Sequence, residues 1–322
     1  MRLSPSLLDA LLKDHTTEKN IIWATDEYAK LGEGYTFHDE ITPQRITGER
    51  GNLIKPRVQK TQEVQVGRKR DRAEIFTPAW ICNSQLNLID EAWFGRKDVF
   101  NTEHDDHTWT PVGGSVVFSG EKGKTWKDYV RDTRLEITCG EGPYLVSRYD
   151  TVTGEAIPIE NRVGIIDRKL RVVGENTQSS GDWLKWAREA LMSTYGYEWQ
   201  GDSLLLARES LLATFIEYYR AKFGCDPLEK SSLFAAYIIS WNVFQMDGLK
   251  GVVPKSCKEE TVGQAVLFDN VETSPRIPCE GCRTGDIHKH NGTYCLIRDW
   301  HAKPLKGGAG PRRERRFIDL MK

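Results

Sequence analysis

The chain has 322 residues, of which 39% are hydrophobic and 28% charged, an ordinary globular composition with room for one large domain or two smaller ones. Its formal net charge of −1 excludes a global field that would draw it to nucleic acid or membrane, so any basic surface has to be local. No apolar run approaches the roughly 18 residues that span a bilayer. The N-terminus does not fit a signal peptide, and seven cysteines, an odd number, favour a reducing compartment. We therefore expect a cytoplasmic protein with no membrane partner.

The first 72 residues predict one short helix followed by a polar arm. Residues 5–13 have the spacing of an amphipathic helix, and residues 16–72 are polar and rich in turn-forming residues. The arm ends in "KPRVQKTQEVQVGRKRDR", which holds seven Lys or Arg against two acids. This composition favours a solvated, partly extended arm, and a segment that contacts phosphates is the alternative.

Residues 73–250 have the texture of a folded α/β domain. Thr77-Pro78 is a typical helix start, with Thr as the N-cap and Pro in the first turn. Strand and helix patterns alternate after it, which predicts a parallel sheet. The elements expected are a helix over 125–133, a strand over 134–138, a helix starting near 142, a polar insertion over 151–181, a helix over 183–194, a strand over 195–200, a helix over 202–223, and a helix running into a strand over 233–249.

Three features that suit a nucleoside cofactor follow the three predicted strands. They are the turn Gly140-Glu141-Gly142, the acid Glu198, and the pair Asp247-Gly248. Ligands of open parallel sheets bind at the carboxyl ends of the strands, where a glycine turn allows close backbone approach and an acid accepts the hydroxyls of a ribose. A lone GxG is a weak signal, and each acid alone is more often a surface carboxylate. The ordered series favours a cofactor pocket.

Four segments of the chain resemble motifs of a known enzyme family. "AEIFTPAWI" resembles F-[TY]-P before a helix, and "LEITCGEGPYLV" resembles D-P-x-C-G-x-G-x-F-L. "YGYEWQGDSLLLARESLL" resembles Y-G-x-[DE] followed by L-A-x-x-N-L, and "FQMDGL" resembles a motif ending in G-D-x-L. In this order the motifs are similar to those of the gamma-type adenine-N6 DNA methyltransferases of bacterial restriction–modification systems. The resemblance covers about residues 72–250. The chain differs from the family pattern at three places: it has Glu136 where the family has Asp, Ile-Thr where the family has Pro-Ala, and Tyr144 where the family has Phe.

The resemblance implies a Rossmann-like sheet that binds S-adenosylmethionine, with DNA as a partner. Thr77 and Pro78 would lie near the methionine carboxylate, Glu198 would bind the ribose, and Asp247 would bind the adenine amino group. Glu136, Cys139, Gly140 and Gly142 would form the cofactor turn. The candidate cofactor-binding residues are Phe76, Thr77, Pro78, Glu136, Thr138, Cys139, Gly140, Gly142, Glu198, Trp199, Asp247 and Gly248.

The catalytic motif of that family, Asn or Asp followed by Pro-Pro and an aromatic residue, does not occur in the sequence. The chain contains 13 prolines and no Pro-Pro pair. In the family this motif holds a flipped adenine, and its strand lies beside the first strand of the sheet. The implied sheet is therefore incomplete, and either a second polypeptide supplies the catalytic motif and the target-recognition region or residues 251–322 fold over the open edge.

A separate cluster of cysteines and histidines lies between residues 257 and 295. Cys279 and Cys282 form a CxxC pair, which presents two thiolates to one tetrahedral ion. A redox role is less suitable because the pair does not open a helix after a strand. We expect a structural zinc site in a segment, 251–322, that has few apolar residues. The candidate ligands are Cys257, Cys279, Cys282, His290 and Cys295, with His288 as an alternative fourth ligand.

The sequence therefore predicts the cofactor-binding part of an adenine-N6 DNA methyltransferase with no catalytic residue of its own. Two other functions remain open: a non-catalytic regulatory or nucleic-acid-binding protein with a degenerate methyltransferase fold, and a zinc-stapled nucleic-acid module that has lost the cofactor. Three segments are expected: a helix and polar arm (1–72), a methyltransferase-like domain (73–250), and a cysteine-rich segment with a basic tail (251–322).

Overall fold

The computed structural model describes residues 3–61, 77–261, 276–302 and 313–321. The helices in these ranges are α1 (Pro5–Leu12), α2 (Pro43–Ile46), α3 (Ala79–Phe94), α4 (Trp126–Arg131), α5 (Ile165–Asn176), α6 (Ser180–Met192), α7 (Gly201–Phe223), α8 (Glu229–Asn242) and α9 (Glu280–Thr284). The strands are β1 (Asn101–Glu103), β2 (Trp109–Pro111), β3 (Arg134–Glu136), β4 (Thr194–Glu198), β5 (Val243–Gln245), β6 (Glu260–Thr261), β7 (Arg276–Ile277), β8 (Leu296–Arg298) and β9 (Glu314–Arg316). Short 3-10 turns cover Ala29–Leu31, Gly48–Arg50, Arg57–Gln59, Ile159–Asn161 and Phe317–Leu320.

The central sheet has three parallel strands in the order β3–β4–β5. Leu135 lies opposite Tyr195, and Tyr197 lies opposite Phe244. α5 and α6 fall between β3 and β4, and α7 and α8 fall between β4 and β5, because parallel neighbours need a long crossover connection. The predicted mixed α/β class with a parallel sheet is confirmed. Among the described residues β3 has a strand on one side only, so the sheet is incomplete there.

α7 is the central helix of the main core. Leu204, Leu212 and Phe215 are fully buried because α7 packs against α5, α8 and the sheet at once. Burying a side chain of this size stabilises the fold by about 1.5–3 kcal/mol. The helix ends at Gly224, whose φ of 72° is the left-handed conformation that terminates many helices. The strong helical spacing predicted over 202–223 is confirmed.

The N-terminal part of the chain is folded against the sheet, and the prediction of a solvated arm is wrong for residues 16–61. Ile21 and Trp23 are fully buried. The Ile22 amide donates to Gln245 Oε1 at 2.9 Å, and Gln245 Nε2 donates back to the Ile22 carbonyl at 2.8 Å. The longest apolar run of this segment, residues 21–24, lies in polar sequence and is too short for its periodicity to reveal that it is buried. Their partners lie on β4, β5 and α7.

Two further predictions differ from the structure. The "GPYLV" residues after the glycine turn form turns rather than the start of a helix. The predicted polar insertion over 151–181 contains all of α5, which is an amphipathic helix whose charged residues are partly internal. Arg168 is 2% exposed and Lys169 is 1% exposed. Because charged residues usually mark an exposed face, the sequence does not indicate that this helix is buried. Residues 62–72, the second part of the basic run that could contact phosphates, lie outside the described residues.

The C-terminal segment covers one face of the sheet. β8 and β9 form an antiparallel hairpin, and Ile297 joins Tyr197 and Phe244 in a second apolar core. The sequence predicted a basic tail with little core, but Ile318 in this tail is fully buried. The hairpin does not pair with β3, whose Leu135 remains 43% exposed. Within the parts of 251–322 that the structure describes, no strand pairs with that edge of the sheet.

Candidate cofactor site and metal centre

The turn after β3 has a backbone that favours glycine at two positions. Thr138, Gly140 and Gly142 have φ values of 50°, 54° and 82°. The Cys139 amide donates to the Tyr197 carbonyl at 2.8 Å, which holds the turn at the end of β4. A Cβ atom on Gly142 would lie 3.3 Å from the Cβ of Ala207 in α7. The turn therefore approaches the start of α7 too closely for a larger residue.

Glu198 joins this turn to the next strand. The carboxylate lies at the end of β4 and is 8% exposed. Its Oε2 accepts a hydrogen bond from the Gly140 amide at 2.9 Å, and its Oε1 accepts one from the Gln200 amide at 3.1 Å. Two of the three features predicted at strand ends are thus in direct contact. The two amides fix the orientation of the carboxylate at the carboxyl edge of the sheet.

The segment before α3 is held by Asp150 and Thr151. The N-cap of α3 is Pro78, and no side chain of the flanking residues caps it, so the prediction of Thr77 as the N-cap is wrong. Asp150 performs this role from a distant segment, because its Oδ2 accepts from the Ala79 amide at 2.7 Å. The Thr151 hydroxyl donates to the Thr77 carbonyl at 3.0 Å. Phe76 lies outside the described residues.

α3 runs alongside β3 in the opposite direction. Arg134, at the start of β3, forms an ion pair with Asp90 near the end of α3, with Nη2 and Oδ1 3.6 Å apart. Cys82, near the start of α3, lies beside Glu136 at the end of β3, and burial together with that carboxyl raises the pKa of the Cys82 thiol to about 12. The Tyr144 hydroxyl donates to Gln85 of α3 at 2.5 Å. This packing brings the predicted first motif next to the glycine turn.

The pKa values of two titratable groups beside the turn, Glu136 and Cys139, are shifted by burial. Burial raises the pKa of the Glu136 carboxyl to about 7. Burial, with the nearby carboxylates of Glu198 and Glu136, also raises the pKa of the Cys139 thiol well above its ordinary value. Cys139 is 2% exposed. A protonated, buried thiol is a poor nucleophile, which agrees with a structural place for Cys139 in the turn.

The third predicted feature, Asp247-Gly248, forms a turn after β5. Asp247 Oδ1 accepts from the Leu249 amide at 3.1 Å, and Oδ2 lies 3.6 Å from Lys250 Nζ. Gly248 packs so tightly that an added Cβ would lie 2.5 Å from the ring of Tyr197. β5 pairs with β4, so Asp247 lies at the same edge of the sheet as Glu198. Among the described contacts none joins these two carboxylates directly.

Trp199 and Gln200 follow Glu198 and complete this edge of the sheet. Trp199 Nε1 donates to the Ala24 carbonyl at 3.2 Å, which binds the predicted site residue to the N-terminal segment. Gln200 was not predicted; it is 4% exposed, and its Oε1 is buried without a hydrogen-bond partner. A buried acceptor without a partner next to a fixed carboxylate suits a ligand that carries donors, such as ribose hydroxyls. Local sequence carries no signal for Gln200, because the missing partner of its amide oxygen is visible only in the folded chain.

The metal centre consists of Cys257, Cys279, Cys282 and His290. One ligand atom from each lies within 4.8 Å of all the others. His290 Nδ1 is 3.6 Å from the Cys257 sulfur and 3.7 Å from each of the other two sulfurs. Three thiols around one imidazole nitrogen are the donor set of a tetrahedral metal site. These four predicted ligands are brought together and could bind a structural metal such as zinc.

Two other candidate ligands lie elsewhere. Cys295 is fully buried in the second apolar core, and its thiol donates to the Gln245 carbonyl at 3.3 Å. The prediction of Cys295 as a metal ligand is therefore wrong, and it is a core residue. His288 is exposed and is not part of the cluster. Both were proposed from spacing alone, which cannot tell which way each side chain points.

The surroundings of Cys279 favour a thiolate. Against the opposing effect of burial, hydrogen bonds from the backbone at Asn291 and Cys282, with the His290 ring, lower the pKa of the Cys279 thiol to about 6. Gly281 lies so close to His290 that a Cβ there would be 2.7 Å from Nδ1. Thiolates are the form that binds metal ions, so the site is prepared for a cation.

Comparison with known proteins gives no identification. No protein-family model, no curated protein and no solved structure matches the chain. None of the helices in the described ranges combines the length and the apolar character needed to cross a bilayer. The geometry of the two sites therefore carries the functional argument.

Proposed function

We propose that this chain is the S-adenosylmethionine-binding part of a cytoplasmic adenine-N6 DNA methyltransferase of a restriction–modification system. The observation that carries the proposal is the bond between Glu198 and the Gly140 amide. It joins an acid at one strand end to a glycine turn at the neighbouring strand end. Such a pair is suited to the ribose and the adjacent atoms of a nucleoside cofactor.

The residues at this edge fit the cofactor in chemical type. The Glu198 carboxylate and Gln200 Oε1 offer acceptors for ribose hydroxyls. Glu136 offers an acid for the cationic methionine end, near Thr77 at the start of α3. When bound, the cofactor supplies a methyl group on a sulfonium. The residues of this chain bind and orient it.

A second polypeptide supplies the catalytic motif in this proposal. Support comes from the absence of any Pro-Pro pair in the sequence and from the open side of β3 among the described strands. Leu135 and Ile137 of this region are 43% and 61% exposed. An unpaired strand edge with exposed apolar side chains is a typical site for strand addition by a partner. DNA would bind to the assembled pair.

The metal at the Cys/His centre is zinc in this proposal. Three thiolates and one imidazole are the donors of structural zinc sites, and all four protein positions are filled. A filled set leaves no open coordination position for catalysis. The metal therefore has a structural role and holds together the loops that carry Cys257, Cys279, Cys282 and His290.

Binding of S-adenosylmethionine, measured by calorimetry, tests the cofactor site. Glu198→Ala removes the carboxylate that accepts the ribose hydroxyls, and we expect a 10- to 100-fold loss of affinity, since charged hydrogen bonds contribute about 1.5–3 kcal/mol. Glu121→Ala, at an exposed carboxylate of a loop, is the matched control and should bind normally. Equal affinity of both variants would remove Glu198 from the site.

The assignment to methyl transfer is tested with a partner. The chain alone is expected to bind cofactor without methylating DNA. A co-expressed polypeptide that carries the Asn-Pro-Pro-aromatic motif should co-purify with it and restore methylation. Methylation of DNA by the lone chain at the rate of a complete enzyme contradicts the proposal that the motif comes from a partner.

A further inference from the structure

The turn between β5 and the metal centre connects Asp247 to the metal ligands. The Asp247 amide donates to the Val252 carbonyl at 2.8 Å, and the Gly251 amide donates back to the Asp247 carbonyl at 2.8 Å. This closed turn leads directly into the loop that carries Cys257. Asp247 is 5% exposed, so its carboxylate is held in place by protein contacts rather than by solvent.

A first connection runs through Lys250. Its ammonium lies 3.6 Å from Asp247 Oδ2, on the side of the turn that faces the thiols of Cys282 and Cys257. Against the effect of burial, the Asp247 carboxylate and the thiols of Cys282 and Cys257 raise the pKa of Lys250. Lys250 thus stands between the carboxylate and two metal ligands as a positive charge.

A second connection runs through the backbone. Val252 forms an antiparallel bridge with Tyr294 as well as with Asp247. The Tyr294 hydroxyl accepts a hydrogen bond from the His290 amide at 2.8 Å and donates to the Ile287 carbonyl at 3.0 Å. The metal ligand His290 is therefore three contacts away from Asp247, which follows β5.

The charges of the two sites explain why the connection depends on the metal. Three thiolates with one divalent ion carry a net charge of about −1, which needs a cation nearby. Lys250 is that cation, and it is held by the thiolates on one side and by Asp247 on the other. Without the metal the loops lose their common anchor, so the Lys250 side chain is held on one side only, by its ion pair with Asp247.

We propose that the metal centre positions Asp247 through Lys250 and the Val252–Tyr294 bridge, so that metal loading controls how well the site recognises the amino group of an adenine ring. The inference rests on the proposed function, because it assigns a regulator to the same cofactor site. Lys250 is a positioning residue, and Asp247 is the acceptor. A carboxylate with two contacts retains lone pairs for an amino donor.

The test compares two ligands that differ at one group. S-adenosylhomocysteine has the amino group that Asp247 would accept, and S-inosylhomocysteine has a carbonyl oxygen there. We expect the zinc-loaded protein to prefer the adenosyl ligand about 10-fold or more in calorimetry, since an unpaired buried acceptor penalises the other ligand. Lys250→Met and the zinc-free protein should lose most of this preference, and Lys250→Arg should keep most of it.

Zinc content, measured on every sample, separates a positional effect from loss of the metal. Lys258→Met is the control, because Lys258 adjoins Cys257 in sequence and its side chain is exposed. The inference is overturned if Lys250→Met retains both zinc and the full preference for the adenosyl ligand. Failure of the unaltered protein to bind either ligand instead overturns the proposed function, and this inference with it.

Discussion

Glu136 ends β3 with its side chain toward α3 rather than toward solvent. Cys82 lies beside it, and Tyr144 adjoins the same space. A carboxyl group in such surroundings ionises near neutral pH because burial penalises its charged form. The chemistry of the turn therefore depends on the pH at which the protein works.

Cofactor binding is expected to weaken as the pH falls through about 7. The pKa of Glu136 is raised to about 7, so the carboxyl is ionised above that pH and protonated below it. The carboxylate is the form that attracts the cationic methionine end, and at pH 6 only about a tenth of it remains. Calorimetry with S-adenosylmethionine should show an affinity up to about 10-fold lower at pH 6 than at pH 8.

Glu136→Gln is the control for this effect and should bind the cofactor weakly, with no dependence on pH between 6 and 8.

Glu136 also affects the pH dependence of folding stability, in the direction opposite to that of an ion-paired acid. A pKa raised on folding means that ionisation destabilises the folded state, so stability falls as the pH rises from about 4.5 to 7. Gln at this position should remove that fall. A wild-type affinity that is constant across this range contradicts the placement of Glu136 near the cationic end.

Among single residues, the sequence identified the acids and glycines of the site but not their partners. Glu198 and Gly140 were predicted from their places at strand ends, and the structure joins them. Gln200 and Lys250 were missed because their roles depend on contacts across the fold. An unpaired amide oxygen or an ammonium shared by two sites has no signature in local sequence.

At the scale of elements, the glycine turn after β3 limits which residues can follow the strand. Gly142→Ala is expected to destabilise the protein by about 2–3 kcal/mol, from a positive φ and from the contact of the new Cβ with Ala207. Gly120→Ala is the matched control, since Gly120 has a φ of 75° and no atom within 4 Å of an added Cβ. It should cost about 1–2 kcal/mol in urea unfolding. Equal losses would show that the approach of the turn to α7 is not tight.

The sequence correctly predicted the elements in which apolar residues are frequent and mark the buried side. α7 belongs to this group, because its apolar residues are dense and recur at helical spacing. α5 was missed since its inner face includes Arg168 and Lys169, whose charges are satisfied inside the protein. Lys169 Nζ, for example, donates to the Ser193 hydroxyl at 2.7 Å and to the Asp132 carbonyl at 2.6 Å.

At the scale of the whole molecule, the metal centre holds a segment whose own apolar core is small. Cys282→Ser is expected to abolish zinc binding and to lower the unfolding midpoint by about 5 °C or more, because binding energy at a structural site is folding energy. Cys225→Ser is the control, since Cys225 is exposed and outside the cluster. Metal analysis and thermal unfolding of both variants decide the matter. A Cys282→Ser protein that keeps its zinc and its midpoint would remove Cys282 from the centre.

Whole-molecule organisation was the least predictable level. The sequence placed the first 72 residues outside the domain, because the apolar run around Trp23 is only four residues long and polar residues surround it. Their burial depends on surfaces formed by residues near 200 and 245, which no local pattern reports. The cysteine pattern predicted the four residues that form the cluster, since a CxxC pair is a strong local signal, but it also included Cys295, which lies in the core.

Ile22 and Gln245 are in contact although 223 residues separate them in the chain. The N-terminal segment therefore reaches its native position late during synthesis. A ribosome adds about 5–20 residues per second, so the N-terminal segment waits roughly 10–45 s for its binding surface to be synthesised. During that interval Ile21 and Trp23 have no native place to be buried. The nascent chain therefore exposes apolar groups early, and the first segment made is among the last to reach its final position.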